Sequence, residues 1–84
     1  MEKQLVGKIT HYFNKIGVAV VEVSGEIKVG DKISIEGKSE PFEQVVESMQ
    51  IEKQPIQEAK PGQAIGLKVE KPVKEGDLVY KIVE

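Results

Sequence analysis

The sequence of 84 residues contains no cysteine and no arginine, and it has a single histidine, His11. Without cysteine there is no disulfide, no thiolate nucleophile and no cysteine–zinc site. The serines lie in no nucleophile-elbow context, and no phosphate-binding glycine loop is present. The sequence therefore predicts a protein that is not an enzyme and that uses no cofactor and no metal.

The absence of arginine also bears on binding partners. All 12 basic residues are lysine, 14 residues are acidic, and the net charge is −2. Proteins that grip nucleic acid usually carry a clustered basic excess in which arginine reads phosphates and bases. The composition disfavours tight nucleic-acid binding and leaves room for a weak contact or one supported by a partner.

Long apolar runs are missing as well. No segment approaches the roughly 20 apolar residues that a membrane-spanning helix needs. The first four residues, Met-Glu-Lys-Gln, lack the apolar run of a signal peptide. We therefore expect no membrane association and a cytoplasmic location.

Short apolar runs separated by turn-forming residues fill the chain instead. Residues 5–10 alternate, and residues 18–23 are apolar on both faces until Glu22, as in a central, well-covered strand. No linker or low-complexity run divides the sequence. The pattern predicts one all-β domain over residues 1–84, and about six short strands favour a closed barrel because closure removes exposed edges.

A short motif, Lys-x-Gly-Asp followed by an apolar strand, occurs at residues 28–33 and again at 74–79, with a looser copy at 60–65. Glycine accepts a positive φ, and the polar residue after it can bond nearby backbone. We interpret the three copies as one type of turn used three times. Each turn would start a strand whose inward face alternates: Ile33 and Ile35; Ile65, Leu67 and Val69; Leu78, Tyr80 and Ile82.

The segment 42–49 is ambiguous on pattern alone. Phe42, Val45, Val46 and Met49 fall at helical spacing, and Pro41 suits the first turn of a helix. The β-branched residues and the neighbouring strands, which need partners, favour a strand equally.

The cluster His11-Tyr12-Phe13-Asn14-Lys15 is the most suggestive candidate site. Consecutive residues of a strand face opposite sides, so one of Tyr12 and Phe13 should point outward. An exposed aromatic ring beside a lysine could stack on a base or anchor a protein partner. We take His11, Tyr12, Phe13 and Lys15 as candidate partner-binding residues. The alternative is structural, with Phe13 closing the barrel end and Tyr12 covering a strand.

Five stretches together resemble domain II of translation elongation factor Tu and related translational GTPases: residues 17–23, 25–37, 45–51, 58–67 and 74–79. The resemblance extends over about residues 7–83. The same barrel is also known as the C-terminal appendage of a collagenase-like peptidase family, and the chain is similar to that version too. The resemblance implies a closed six-stranded Greek-key-like barrel. It also favours a strand over a helix for the segment 42–49.

In the elongation factors this barrel packs on the GTPase domain and helps to hold the aminoacyl end of tRNA. The family's acidic pair falls near Lys8 and Ile9, and its pocket threonine falls near Val21, so aminoacyl recognition is not carried over. The leading hypothesis is a stand-alone, translation-associated binding module with a weak ribosome, tRNA or translation-factor contact. The alternative is a protein–protein adaptor for a separately encoded peptidase-like enzyme.

Overall fold

The computed structural model describes residues 2–37 and 41–83, and all their helical or strand structure is β. The all-β prediction is therefore confirmed, and the segment 42–49 forms strands. The strands are β1 Glu2–Phe13, β2 Val18–Val23, β3 Ile27–Lys28, β4 Lys32–Glu36, β5 Phe42–Val45, β6 Met49–Ile51, β7 Gln54–Ile56, β8 Glu58–Ala59, β9 Ala64–Lys68 and β10 Leu78–Val83.

Eight strands form one antiparallel sheet in the order β5-β4-β10-β1-β2-β9-β6-β7, and β3 pairs with β8 separately. The long strand β1 lies in the middle, where it pairs with β10 along its first part and with β2 along its second. Register shifts between Leu5 and Gly7 and between Ile9 and His11 interrupt its ladders. Such bulges bend a strand and increase its twist, which helps the sheet to curl around a core.

The closed six-stranded barrel expected from the sequence is wrong. Within residues 2–37 and 41–83, the edge strands β5 and β7 do not pair with each other, and the sheet is a curled half-barrel. The reason is the segment 42–51, which breaks into β5, paired with β4, and β6, paired with β9. The break at residues 46–48 also explains the misleading helical spacing, because it places Val46 and Met49 inward while leaving Val45 half exposed.

One buried side chain spans the gap that the break leaves between β5 and the end of β9. The Nε2 of Gln44 donates to the carbonyl of Lys68 at 2.9 Å, and its Oε1 accepts from the backbone N–H of Glu70 at 2.9 Å. The carboxamide thus pairs with β9 as a peptide group of a neighbouring strand would. We call this contact the Gln44 bridge.

The concave side of the sheet holds the core. Its buried apolar residues are Val6, Ile9, Ala19, Val21, Val23, Ile27, Ile33, Ile35, Val46, Met49, Ala59, Ile65, Leu67, Val69, Val73 and Val79. The alternation expected in β10 is wrong, because Val79 is its buried residue. In β1, Val6 and Ile9 are buried and Leu5 is half exposed, because the register shift between Leu5 and Gly7 changes the inward face.

The three motif copies do form the same turn, as predicted. Gly30, Gly62 and Gly76 have φ values of 98°, 91° and 93°. In each copy the backbone N–H of the lysine donates to the side chain three residues later, at 2.8–3.0 Å, and that later residue returns a backbone bond to the lysine carbonyl. The looser copy uses Gln63 where the others use aspartate, so the longer amide serves the same purpose.

Each turn is also fixed to a different buried residue in the same way. The glycine N–H donates to the carbonyl of Val46, Val23 or Ile9, and the N–H of that residue donates to the carbonyl of the residue after the glycine. All six bonds are 2.7–2.9 Å long. The fold therefore contains three equivalent units, each a buried core residue with a turn attached to its backbone, although no such symmetry is visible in the sequence beyond the short motif.

No helix in the described ranges is long and apolar enough to cross a membrane. The cytoplasmic location stays a prediction.

Candidate functional site

The aromatic cluster found in the sequence is divided between the two faces of β1. His11 and Phe13 lie on the outer face with ring centroids 5.0 Å apart, and Phe13 is 46% exposed. Tyr12 points the other way and packs against the core. One aromatic ring does point outward, as expected from strand geometry, and it belongs to Phe13. Lys15 is exposed in the turn that follows β1.

His11 also lies near a carboxylate. Its Nδ1 is 3.4 Å from Oε1 of Glu75, and both side chains are more than half exposed. Among the residues that the structure describes, no three His, Asp or Glu side chains are grouped closely enough to hold a metal ion. The arrangement gives His11 a solvent-exposed carboxylate as its partner.

An open groove of about 310 Å³ lies beside Phe13 on the outer face of the sheet. Its apolar side is formed by Phe13, by Ile16 in the turn and by Val18 and Val20 of β2. Ile16 is 64% exposed. Apolar side chains therefore line this part of the surface without a cover. We call it the outer groove.

The floor of the outer groove exists because β9 carries a glycine where a side chain would stand. Gly66 pairs with Val20 on one side and with Gln50 of β6 on the other. A Cβ at Gly66 would lie 3.2 Å from a Val18 methyl carbon and 3.2 Å from the Gln50 Cγ. The neighbouring side chains thus lean over the glycine, and even a methyl group would crowd them.

The far rim of the outer groove is a strained turn. Glu52 and Lys53 join β6 to β7 and have φ values of 49° and 66°. A two-residue hairpin with both central residues at positive φ is a type I′ turn, which normally uses asparagine and glycine. Side chains with a Cβ cost roughly 1–2 kcal/mol per residue in this conformation.

The sequence pattern did not predict most of the outer groove. The valines of β2 were interpreted as covered on both faces, but only Ala19, Val21 and Val23 are buried, while Val18 and Val20 face outward. An available signal was Gly66 within a strand, because glycine there often marks a place where another chain approaches. The proximity of β6 and its turn could not be inferred from spacing.

A separate ionic contact lies where β1, β4 and β10 adjoin. Lys3 Nζ and Ser34 Oγ both donate to Oε2 of Glu36. The hydrogen bond from Lys3, followed by that from Ser34, lowers the pKa of Glu36. The same bond raises the pKa of Lys3.

This contact predicts a pH-dependent difference between the wild type and Glu36→Gln. A carboxyl group with a lowered folded-state pKa stabilises the fold above its unfolded pKa, and this stabilisation is lost as the pH falls through the folded value. We expect a lower urea midpoint for Glu36→Gln at neutral pH and nearly equal midpoints at about pH 3. The matched control is Glu47→Gln, because Glu47 is exposed and has no ion pair within residues 2–37 and 41–83. A pH-independent difference would contradict the assignment.

Residues 1–79 match the model of the peptidase family U32 C-terminal domain. The chain belongs to this family. Among curated relatives, an uncharacterized protease of Methanocaldococcus jannaschii is 39% identical over 80 residues, and a collagenase of Porphyromonas gingivalis is 38% identical over 82 residues. The matches cover 94% and 95% of this chain but 20% and 23% of those relatives, so the U32 C-terminal domain described here spans about a fifth of their length.

The fold agrees with a solved member of the family. The crystal structure of the C-terminal domain of a Geobacillus thermoleovorans putative U32 peptidase matches with a TM-score of 0.89 at 25% identity, covering 95% of this chain and 93% of that one. Its selenomethionine variant gives a TM-score of 0.86 over 90% of this chain.

The family corrects the leading functional hypothesis. The similarity to a collagenase-like peptidase appendage is confirmed, whereas the translation-associated role and the elongation-factor relationship are wrong, since the match is to U32 peptidase proteins. The physical reason is that short strands and Gly-Asp turns specify a kind of β-fold, and a fold hosts many functions. Lys8, Ile9 and Val21 stand near where the elongation factors have the acidic pair and the threonine of their aminoacyl pocket.

Proposed function

We propose that this U32 C-terminal domain is a non-catalytic protein-binding module that docks on a U32-type peptidase domain. The observation that carries the proposal is the family match over residues 1–79, together with relatives named as a protease and a collagenase. The proposal develops the adaptor alternative drawn from the sequence, which named a separately encoded peptidase-like enzyme, and extends it to a peptidase domain on the same chain.

The chemistry of the described residues supports a binding role. The sole histidine of the sequence faces one exposed carboxylate, and an open groove with an apolar wall lies on a sheet face. The curated relatives are about five times as long as their match to this chain, so most of each relative is a different part of the protein. A small module of this kind acts by positioning a larger neighbour or the material on which that neighbour acts.

Binding to a U32 relative tests the proposal directly. The Methanocaldococcus protease is prepared in two forms, one complete and one lacking the segment that matches this chain, and each is titrated with the folded domain by isothermal calorimetry. We expect one-to-one binding to the shortened form with a Kd on the order of 10–100 μM, as for weak contacts between domains. The complete form should bind more weakly because its own domain occupies the surface.

Two results would count against the proposal. Absence of binding to the shortened form, with both proteins folded by circular dichroism, removes the docking role. Equal affinity for both forms would mean that the contact is not the one made by the relative's own C-terminal domain.

A further inference from the structure

We propose that the outer groove is the surface with which this domain contacts the peptidase domain, and that an aliphatic side chain of that partner packs on its apolar wall. The inference rests on the proposed function and adds to it the residues and the chemistry of the contact. It is carried by four properties of the groove: exposure, shape, polar capacity and backbone strain.

Exposure comes first. Phe13 and Ile16 are two of the large apolar residues that the described chain leaves exposed, at 46% and 64%. They lie against Val18 and Val20, which are only partly buried on the same face. Contiguous apolar surface of this kind marks a contact site more often than scattered residues do.

The shape of the groove suits a shallow apolar contact. Gly66 has no side chain, and Val20 and Gln50 stand on either side of it in the paired strands. A Cβ at Gly66 would crowd Val18 and Gln50 at 3.2 Å. Neighbouring side chains therefore fill the floor over the glycine, and the apolar wall of the groove is formed by Phe13, Ile16, Val18 and Val20.

The groove also has a free polar group. Within the described ranges, the Gln50 side-chain amide makes no hydrogen bond, although it is partly buried beside Gly66. An amide carries both donors and an acceptor. It can pair with a backbone group of an approaching segment, while the aliphatic side chain of that segment packs on the apolar wall of the groove.

Backbone strain is concentrated at the same rim. In the described residues, Glu52 and Lys53 are the non-glycine positions with positive φ. Strain of this type costs stability and gathers at binding sites and ligand clamps. The turn places one acidic and one basic side chain at the groove, so the rim has no net charge to attract a polyanion.

The small extent of the groove distinguishes a peptidase domain from a second copy of this chain as its occupant. A stable dimer buries about 800 Å² on each partner, which is about one seventh of the 5438 Å² surface of this domain. Four apolar side chains around one glycine fall well short of that. A partner held nearby in one polypeptide, as in the relatives, meets the groove at an effective concentration near millimolar, and a small contact then suffices.

The test uses the shortened relative introduced above and three variants. Ile16→Glu places a charge at the most exposed apolar position of the groove, and Gly66→Ala displaces Val18 and Gln50 in its floor. Leu5→Glu is the matched control, because Leu5 is 51% exposed and lies outside the groove. We expect Ile16→Glu to weaken binding at least about tenfold and Leu5→Glu to change it less than about twofold. Gly66→Ala should weaken binding with an intact circular dichroism spectrum.

Chemical-shift mapping on the ¹⁵N-labelled wild type gives a second measurement that needs no variant. Shifts on addition of the shortened relative should centre on Phe13, Ile16 and Gly66. If the wild type binds while Ile16→Glu binds equally well, or if the shifts centre on Leu5 and Val45, the groove assignment is overturned and the docking role stands. If the wild type does not bind, both proposals fail.

Discussion

Replacing Gln44 with leucine is expected to lower the free energy of unfolding by about 2–3 kcal/mol, because it leaves two backbone groups without partners. The Gln44 bridge holds the carbonyl of Lys68 and the N–H of Glu70, and Gln44 itself is 5% exposed. Leucine fills a similar volume but can neither donate nor accept. For a domain of this size the melting temperature should fall by about 10–15 °C.

The matched control is Gln54→Leu, since Gln54 is exposed on the edge strand β7 and its side chain makes no hydrogen bond in the described part of the protein. We expect its effect to stay within about 0.5 kcal/mol. Guanidinium unfolding of both variants measures the difference. Equal effects would mean that the amide contributes nothing at the gap.

A second substitution at position 44 should make the stability of the domain depend on pH through the Gln44 bridge. In Gln44→Glu the carboxylate still accepts from the Glu70 N–H, but it faces the Lys68 carbonyl without a proton to donate. Protonation restores that donor, so the stability of Gln44→Glu should approach that of the wild type as the pH falls. The same pH series with Gln44→Leu should show no such recovery.

Replacing Gly30, Gly62 and Gly76 together with alanine is expected to leave the domain largely unfolded at 37 °C. Each glycine has a φ near +90°, where alanine costs about 1–2 kcal/mol. No atom lies within 4 Å of a Cβ built at any of the three positions, so the cost comes from the backbone and not from crowding.

The three costs should add because the turns attach to three different buried residues. Their sum, about 3–6 kcal/mol, is comparable with the total stability of about 4–12 kcal/mol expected for 84 residues. Thermal denaturation of the single, double and triple variants would measure the increments. A first substitution that costs far more than the other two would contradict the equivalence of the turns.

The control for this series lies one residue earlier in each turn. Val29→Ala, Pro61→Ala and Glu75→Ala change positions without positive φ in the same three turns. We expect the triple control to remain folded, with a small loss at Pro61 because proline restricts the unfolded chain. Unfolding of this control would show that the turns depend on more than the glycine conformation.

Local chemistry explains why some features could be predicted. The three turns follow from Gly-Asp or Gly-Gln at a fixed spacing, since each needs only backbone and side-chain groups within four residues. That one of the rings at residues 12 and 13 points outward follows from the alternation of a strand, whereas the choice of residue 13 does not. The peptidase kinship was also available as a similarity, but the same pattern suited a translation factor, and nothing local distinguished the two.

The outer groove shows why other features could not be predicted. It needs Ile16, Val20, Gly66 and Gln50 in one place, and these residues come from a turn and three strands. Their proximity is decided by strand order, which a single sequence does not state. The covered interpretation of β2 was wrong for the same reason, because whether an outward valine is buried depends on what lies above it.

The composition by itself determined that the domain has no disulfide, no thiolate nucleophile and no arginine contact with a phosphate. The glycine turns and β-branched runs determined an all-β fold. Only the tertiary structure decided that the sheet stays open, with one glutamine amide across the gap, and that an apolar groove remains on its outer face. Those outcomes depend on long-range pairing, in which residues 44 and 70 or 13 and 66 meet, and pairing at that distance is set by the packing of the whole core.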